Sequence, residues 1–379
     1  MKVLLFILCL LLLTGCSSPS EPADVPESTS APDSSVTDPI PEIPEPPDPI
    51  RQLISSMSLE ERVGQLILAR CDASVAVNDV ENYHLGGFVL FAADVEDESP
   101  DSLRDKIASY QNATKIPLLI AVDEEGGTVT RVSRYTAFRS RPFPSPRQLF
   151  ESQGYEAVLE TESEKSAFLY DLGFNVNLGP VCDITTDPAA FMYQRSLGQS
   201  PAAVGHFVMD TVAIMKDHSI GSCLKHFPGY GNNTDTHTGA ARDIRSLEQL
   251  ESCDLIPFRS GIRAGCDAIL VSHTIVEALD AETPASLSPD VHRYLRQEMD
   301  FGGVIITDDL LMQAITDAYG SGEAAVLAVL AGNDLLCSTD YQTQYEAVLA
   351  AVLSGRIDID TLNSAVRNVL EWKTELGLI

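Results

Sequence analysis

The sequence has few basic residues and none of the common cofactor motifs. It holds 25 Lys and Arg against 55 Asp and Glu, for a formal net charge of −30. With no basic stripe, this balance argues against nucleic acid or another anionic polymer as a partner. No Cys-x-x-Cys or Cys/His spacing predicts a metal site, and no glycine-rich fingerprint predicts a nucleotide. Hydrophobic patterning and polar clusters therefore carry the remaining information.

The amino terminus has one long apolar run, and it is too short to cross a bilayer. Lys2 precedes the apolar residues 3–13, and Leu-Thr-Gly leads into Cys16. A basic residue, a short apolar run and small residues before a cysteine are typical of a secretory signal. This ending resembles a bacterial lipoprotein signal, so we expect residues 1–15 to be removed and Cys16 to be lipidated, which anchors the protein outside the cytoplasm at the cell membrane. An ordinary signal peptide is the alternative.

Residues 16–50 have the composition of a disordered linker that follows the lipidated cysteine. Positions 17–50 hold ten Pro, seven Ser and eight Asp or Glu, and no Lys or Arg. Such a segment buries too little apolar surface to offset its ordering entropy, and its Pro content favours an extended spacer. We expect this linker to hold a folded domain away from a membrane.

Residues 51–379 alternate short apolar runs with longer amphipathic stretches. Most of the eight runs are apolar on both faces, as expected of strands that are covered by helices on one side and by a packed interior on the other. Eight alternations predict an α/β protein with a single (β/α)8 TIM-type barrel, and a doubly wound open sheet is the alternative. The predicted strands are Leu66–Cys71, Gly87–Phe91, Pro117–Val122, Asn175–Leu178 with Val181, Ser222–Leu224, Ala268–Ser272, Val304–Thr307 and Asp334–Cys337.

The amphipathic stretches predict the helices. The first begins at Ser58 with capping-box spacing. The six cysteines after Cys16 are scattered, several of them inside apolar runs, so we interpret most as buried thiols while a disulfide stays open. The other predicted helices are Ser99–Thr114, Gly154–Leu172, Pro201–His218, Ser246–Ala264, Pro289–Met299, Glu323–Ala331, Tyr341–Leu353 and Asp360–Leu376.

Polar residues follow four of the predicted strands. The carboxyl ends of barrel strands meet at one face, where active sites form, so we expect these side chains to lie close together. Any one of them alone is better explained as a strand-end residue with a satisfied hydrogen bond. The groups are Asp123-Glu124-Glu125, Lys225-His226, His273 and Asp308-Asp309.

Two candidates among the polar residues fit acid/base and nucleophilic chemistry. Asp308 follows an apolar strand, which suits a positioned nucleophile, whereas we expect Asp309 to be structural. Asp235 is two residues before His237, and a carboxylate at that spacing can orient an imidazole for general acid/base catalysis. On composition alone, this loop also fits a polar surface turn.

Six ordered motifs resemble glycoside hydrolase family 3, and more narrowly its bacterial β-N-acetylhexosaminidase branch. The resemblance covers essentially all of residues 51–379. The motifs are Leu85–Phe91, Asp123–Arg131, Asn177–Ile184, Arg195–Gly198, Lys225–Gly231 with Asp235-Thr236-His237, and Ile306–Met312.

The resemblance implies a function for particular residues. It implies a (β/α)8-type catalytic barrel, no metal or organic cofactor, and hydrolysis of terminal β-linked N-acetylglucosamine with retention. Asp308 corresponds to the nucleophile and His237, oriented by Asp235, to the acid/base group. The residues implied in sugar binding are Asp123, Arg131, Arg195, Lys225 and His226.

Several alternatives stay open. Within the family, these are a β-glucosidase or β-xylosidase and an N-acetylglucosaminide phosphorylase, since a histidine acid leaves a site less repulsive to phosphate. From another class, the alternatives are a non-catalytic sugar-binding lipoprotein and a degenerate wall-binding module, although both candidate catalysts are present. We expect a monomer that acts on glycans such as cell-wall fragments and binds the membrane through its lipid.

Overall fold

A computed structural model describes residues 48–231 and 241–379. Its centre is a sheet of eight parallel strands: β1 Ile67–Arg70, β2 Gly87–Leu90, β3 Leu119–Val122, β4 Val176–Asn177, β5 Gly221–Phe227, β7 Ala268–Val271, β9 Val304–Thr307 and β10 Leu336–Ser338. Their order in the sheet is β10-β1-β2-β3-β4-β5-β7-β9. The sheet closes where Ile306 of β9 bridges Leu335 beside β10, and the Thr307 amide donates to the Leu335 carbonyl over 3.1 Å.

Helices surround this sheet, so the predicted (β/α)8 barrel is confirmed and the open-sheet alternative is not. Two further short strands, β6 Arg242–Asp243 and β8 Ile275–Val276, pair with each other outside it. The helices are α1 Pro49–Ser56, α2 Leu59–Gln65, α3 Ala76–Tyr83, α4 Pro100–Asn112, α5 Pro146–Gln153, α6 Tyr155–Asp171, α7 Pro201–Asp217, α8 Leu247–Ser252, α9 Leu255–Arg263, α10 Pro289–Arg293, α11 Gln313–Tyr319, α12 Ser321–Ala331, α13 Tyr341–Leu353 and α14 Ile359–Glu375.

The sequence explains both the strands and the helix starts. β2, β3, β7 and β9 are buried along their whole length, which is why their residues are apolar on both faces. Side chains of alternate strand positions fill the barrel interior, among them Leu119, Ala121 and Ile306. The predicted capping box at Ser58 is present in α2, and Ser-Pro pairs begin α4, α5, α7 and α10.

Some predicted boundaries were wrong. The first helix is α1, which begins at Pro49, within the predicted linker. The predicted helix from Ser246 to Ala264 is two helices that meet at Cys253-Asp254. β5 continues to Phe227, so Lys225 and His226 lie inside the strand rather than after it.

The described residues contain no helix that is both long and apolar enough to cross a bilayer. All six cysteines after Cys16 lie within this part of the chain, and all are free thiols. Four of them are buried, as predicted, while Cys253 and Cys337 are partly exposed. Burial raises the pKa of the Cys71 and Cys223 thiols to about 12, so these two groups are not reactive thiolates.

Candidate active site

A pocket of about 290 Å³ opens at the carboxyl ends of the barrel strands. This volume is just below the usual range for small-molecule sites, about 300–1,000 Å³. Every one of the eight barrel strands, or the residues directly after it, contributes to the lining. The lining residues that carry charge or an imidazole are Arg70, Asp123, Arg131, Arg195, Lys225, His226, Asp308 and Asp309.

Four of these side chains, with Glu125, form a buried charge cluster on one side of the pocket. The Lys225 ammonium lies 2.6 Å from an Asp123 oxygen and 2.7 Å from Oε1 of Glu125. The Arg195 guanidinium donates to both Glu125 oxygens, over 2.9 and 2.7 Å. It also lies 3.2 Å from Nε2 of His226. The Glu125 carboxylate thus holds the two cations, Lys225 and Arg195, in fixed positions.

The pKa shifts in this cluster follow from its pairing. Burial by itself would raise the pKa of Glu125, but the positive charges of Lys225 and Arg195 outweigh it and hold that pKa well below its usual range. Burial would likewise lower the pKa of Lys225, yet the carboxylates of Asp123 and Glu125 raise it. The Glu125 carboxylate and the Lys225 ammonium are therefore both ionised near neutral pH, and this pair presents fixed charges beside the pocket.

His226 is oriented by a carboxylate beneath it. Its Nδ1 lies 2.8 Å from Oδ2 of Asp183, a residue that is 1% exposed. The same carboxylate accepts hydrogen bonds from the main-chain amides of His226 and Tyr230, over 3.1 and 2.8 Å. The Tyr230 ring packs edge-on against the imidazole, with centroids 5.1 Å apart. Asp183 thus fixes the strand end and the imidazole together.

The loop after β3 places Arg131 at the rim. Glu124 is fully buried and accepts hydrogen bonds from the main-chain amides of Arg131 and Val132, each over 2.8 Å. The Arg131 guanidinium is 3.9 Å from Asp123. Gly126 and Gly127 have φ values of 100° and 65°, a conformation that disfavours a side chain, so glycine is required where this loop turns.

Asp308 lies in the same pocket, directly after β9. Its main-chain amide donates to the Val271 carbonyl of the neighbouring strand over 3.0 Å, and its Oδ1 accepts from the Asp309 amide over 2.9 Å. The Asp309 carboxylate instead accepts from the Thr339 amide and hydroxyl. Asp309 therefore ties the end of β9 to the residue after β10, which agrees with the structural role expected for it.

The remaining candidate residues are a buried histidine and three residues that the structure does not describe. His273 is fully buried between the Ser286 hydroxyl and the Asp309 carbonyl, so it serves the packing of the strand ends. Cys16, Asp235 and His237 lie outside the described residues. Within residues 48–231 and 241–379, no group of His, Cys, Asp and Glu is arranged to hold a metal ion.

Sequence reasoning assigned no role to Glu125 and Asp183. Each lies within one of the six family motifs, but its importance comes from partners that are distant in the chain. Glu125 contacts Arg195 across 70 residues, and Asp183 contacts His226 across 43. A signal was present, since a carboxylate next to an apolar strand needs a cation or donor partner when it is buried. The sequence does not say which one.

The arrangement suits a small neutral polyol. Fixed carboxylates and cations line one side of the pocket, where they can hydrogen-bond hydroxyl groups, and the Asp308 carboxylate lies on the β9 side. Such a site can hold a substrate ring while a carboxylate attacks one of its carbons.

The chain matches the family model described as the glycosyl hydrolase family 3 N-terminal domain, over residues 58–372. It is 28% identical over 375 residues to Beta-hexosaminidase LpqI of Mycobacterium tuberculosis, a match that covers 96% of this chain and 94% of that protein. It is 32% identical over 289 residues to a Beta-hexosaminidase of Nitrosomonas eutropha, covering 72% and 81%.

Solved structures show the same likeness. A glycoside hydrolase family 3 β-N-acetylglucosaminidase from Paenibacillus sp. superposes with a TM-score of 0.80 at 32% identity, over 85% of this chain and 63% of that one. This chain therefore spans less than two thirds of that protein's length. The LpqI structure superposes with a TM-score of 0.77 at 27% identity, over 86% of this chain and 96% of that one.

Proposed function

Because this chain belongs to glycosyl hydrolase family 3, we propose that it is a retaining exo-β-N-acetylglucosaminidase. Its substrate is terminal β-linked N-acetylglucosamine on cell-wall fragments or other glycans. The glycoside hydrolase predicted from the sequence is confirmed at the level of the family. The observation that carries the proposal is that Asp308 shares one pocket with Asp123, Arg131, Arg195, Lys225 and His226.

The proposed reaction has two steps. An Asp308 oxygen attacks the anomeric carbon as the bond to the leaving oxygen breaks, and His237, oriented by Asp235, gives that oxygen a proton. Water then attacks the same carbon, loses its proton to His237 and releases Asp308. Two displacements at one carbon retain the configuration. The position of Asp308 after a buried strand supports the first step, because a nucleophile must be held in place.

The charge cluster binds the sugar in this scheme. Glu125 holds Lys225 and Arg195, and Lys225 in turn holds Asp123, before a ligand arrives. His226 is fixed by Asp183. Preorganised donors and acceptors of this kind bind hydroxyl groups without a reorganisation cost at the time of reaction.

Asp308→Asn tests the nucleophile. We expect turnover of p-nitrophenyl β-N-acetylglucosaminide to fall by about a thousandfold or more, since the covalent step is lost. The matched control is Asp309→Asn, which alters the neighbouring carboxylate that bonds Thr339. It should keep activity within about tenfold of the wild type, because Asp309 supports the strand end rather than the reaction. Equal losses in the two variants would contradict the assignment of Asp308.

His237→Ala tests the acid/base group. A good leaving group needs little proton assistance, so this variant should lose far more activity on substrates with a poor leaving group than on the nitrophenyl substrate. Steady-state rates across a series of aryl glycosides measure the difference. Losses that do not depend on the leaving group would count against His237 as the acid.

Substrate class is tested by comparing nitrophenyl glycosides of N-acetylglucosamine, glucose and xylose, each with and without phosphate. We expect a preference for N-acetylglucosamine and release of the free sugar. A preference for glucose or xylose would replace the proposed substrate. Formation of the sugar 1-phosphate would show a phosphorylase.

Membrane anchoring through Cys16 is a separate proposal, supported by the Leu-Thr-Gly-Cys16 ending and the Pro-rich residues that follow it. The wild-type protein should partition with detergent and incorporate labelled fatty acid. Cys16→Ala should abolish both. If the Cys16→Ala protein still incorporates labelled fatty acid, the lipid is attached to another residue.

A further inference from the structure

A second buried ion pair lies behind the charge cluster, on the outer helix α6. The Lys165 ammonium is 2.8 Å from Oε1 of Glu162, and the two side chains are only 4% and 6% exposed. Neither residue lines the sugar pocket. They border a separate cavity of about 20 Å³, whose other walls include Glu125, Arg195 and Thr211.

The Glu162–Lys165 ion pair contacts the charge cluster through the main-chain oxygen of Glu125. The Lys165 ammonium also donates to the main-chain carbonyl of Glu125, over 3.2 Å. Glu125 follows β3 in a loop, and Gly126 and Gly127 come directly after it. The two glycines restrict the main chain little, so the contact with Lys165 adds a constraint on the main chain where this loop passes the pocket.

A gain in the free energy of unfolding does not explain why this buried ion pair is present. Moving two charges out of water costs about as much as their attraction returns, and apolar residues of similar shape often stabilise a protein equally well. The hydrogen bond that links this ion pair to a residue outside α6 runs from the Lys165 ammonium to the Glu125 carbonyl. The carboxylate of that residue is the group that holds both Lys225 and Arg195.

We propose that Lys165, held by Glu162, is a positioning residue for sugar binding. It fixes the main chain of Glu125, and Glu125 in turn fixes the spacing of the two cations that face the sugar. The inference rests on the proposed function, because it assumes that this charge cluster binds substrate. Small displacements of such groups have large kinetic effects, since hydrogen bonds to a substrate depend strongly on distance.

The test is the double variant Glu162→Met/Lys165→Met, which replaces both charges with unbranched apolar chains. We expect its thermal midpoint to match or exceed that of the wild type. We expect its KM for p-nitrophenyl β-N-acetylglucosaminide to rise by about tenfold with kcat within about threefold, because the lost contacts serve binding of the sugar rather than bond breaking. A merely structural pair would lower the midpoint on removal and leave KM unchanged.

The control is Thr211→Val, which alters the same cavity and has no hydrogen bond to Glu125. Its KM should stay within about twofold of the wild type. If the double Met variant does not fold, Glu162→Gln/Lys165→Gln replaces it: this pair is polar and uncharged, and its shorter side chain at 165 loses the contact with Glu125.

A KM within about twofold of the wild type in either folded double variant, or a change confined to kcat, would overturn this inference. Failure of the proposed function is visible separately, as a wild-type enzyme that prefers another nitrophenyl glycoside. The same KM comparison is then made on that preferred substrate, so the role of Lys165 is tested in either case.

Discussion

Glu125 contributes to stability in a pH-dependent way, because its carboxylate is ionised between two buried cations. Burial opposes that ionisation, but Lys225 and Arg195 more than offset it and lower the pKa. A carboxyl with a lowered pKa in the folded state contributes stability that is fully present above its unfolded pKa of about 4.3 and is lost as the pH falls below it. Part of the acid sensitivity of the protein therefore resides in the charge cluster beside the pocket.

Glu125→Gln should lower the free energy of unfolding at pH 7 by about 3 kcal/mol, because it leaves two buried cations with one carboxylate fewer. It should also weaken the loss of stability between pH 5 and pH 3. Urea unfolding at several pH values measures both effects. Glu371→Gln is the control, since its carboxylate pairs with Arg367 at the surface and is 49% exposed. It should cost less than about 1 kcal/mol.

The sequence identified most of the charged side chains that line the pocket, but not the contacts between them. Asp123, Lys225 and Asp308 were found because polar residues after buried strands meet at one face of a barrel. Asp183 was missed because its partner His226 is 43 residues away and strand periodicity gives no information on pairing. The catalytic roles of Asp308 and His237 stay predictions that the proposed variants test.

Among the elements, the start of α2 was predicted from its capping pattern, whereas the end of β5 was not. The capping box at Ser58 was predicted from a four-residue spacing and is present, with the Ser58 hydroxyl accepting from the Glu61 amide over 3.1 Å. β5 was predicted to end at Leu224 because Lys225 and His226 are polar. The strand continues because carboxylates from two other segments pair with these two residues: Asp123 and Glu125 with Lys225, and Asp183 with His226.

Ser58→Ala should destabilise α2 without affecting the pocket. The side chain satisfies an orphan amide at the helix start, so its loss should cost about 1 kcal/mol in free energy of unfolding. Activity should stay at the wild-type level, because α2 precedes β1 at the opposite end of the barrel from the pocket. Ser56→Ala, at an exposed position in the last turn of α1, is the control and should cost less than about 0.5 kcal/mol. Comparable losses in both variants would refute a special role for the cap.

At the scale of the whole molecule, eight alternations predicted the barrel, but they do not show how it closes. Alternating strands and helices also fit an open sheet, because both architectures bury their strands on two faces. The outcome depends on whether β9 and β10 pair, and a bridge between Ile306 and Leu335 decides it. That contact depends on the tilt of all eight strands, which no local pattern encodes.

A buried lysine should give the whole molecule a second pH dependence. Lys373 of α14 is fully buried with Gln65 as its hydrogen-bond partner, and burial lowers its pKa to about 7. Between pH 7 and the unfolded pKa of about 10.4, the unfolded chain binds a proton that the folded chain does not. The free energy of unfolding should therefore rise with pH across that range.

Lys373→Met removes this dependence. Between pH 7 and pH 9 the wild type should gain about 2 kcal/mol relative to the variant, as measured by urea unfolding at each pH. Lys216→Met, at an exposed position near the end of α7, should keep the wild-type slope. An unchanged slope in Lys373→Met would mean that the amine stays protonated in the folded state.

Since each barrel strand, or the residues directly after it, delivers at least one side chain to the pocket, the lining is divided into eight sectors on a shared frame. Those of β3 and β5 are coupled through the charge cluster. A substitution in one sector can change the size or the charge of the pocket locally while the hydrogen-bonded barrel below it stays intact. A saturation library that varies one strand end at a time, beginning with Arg70 or Met312, is therefore a practical route to enzymes with new sugar preferences.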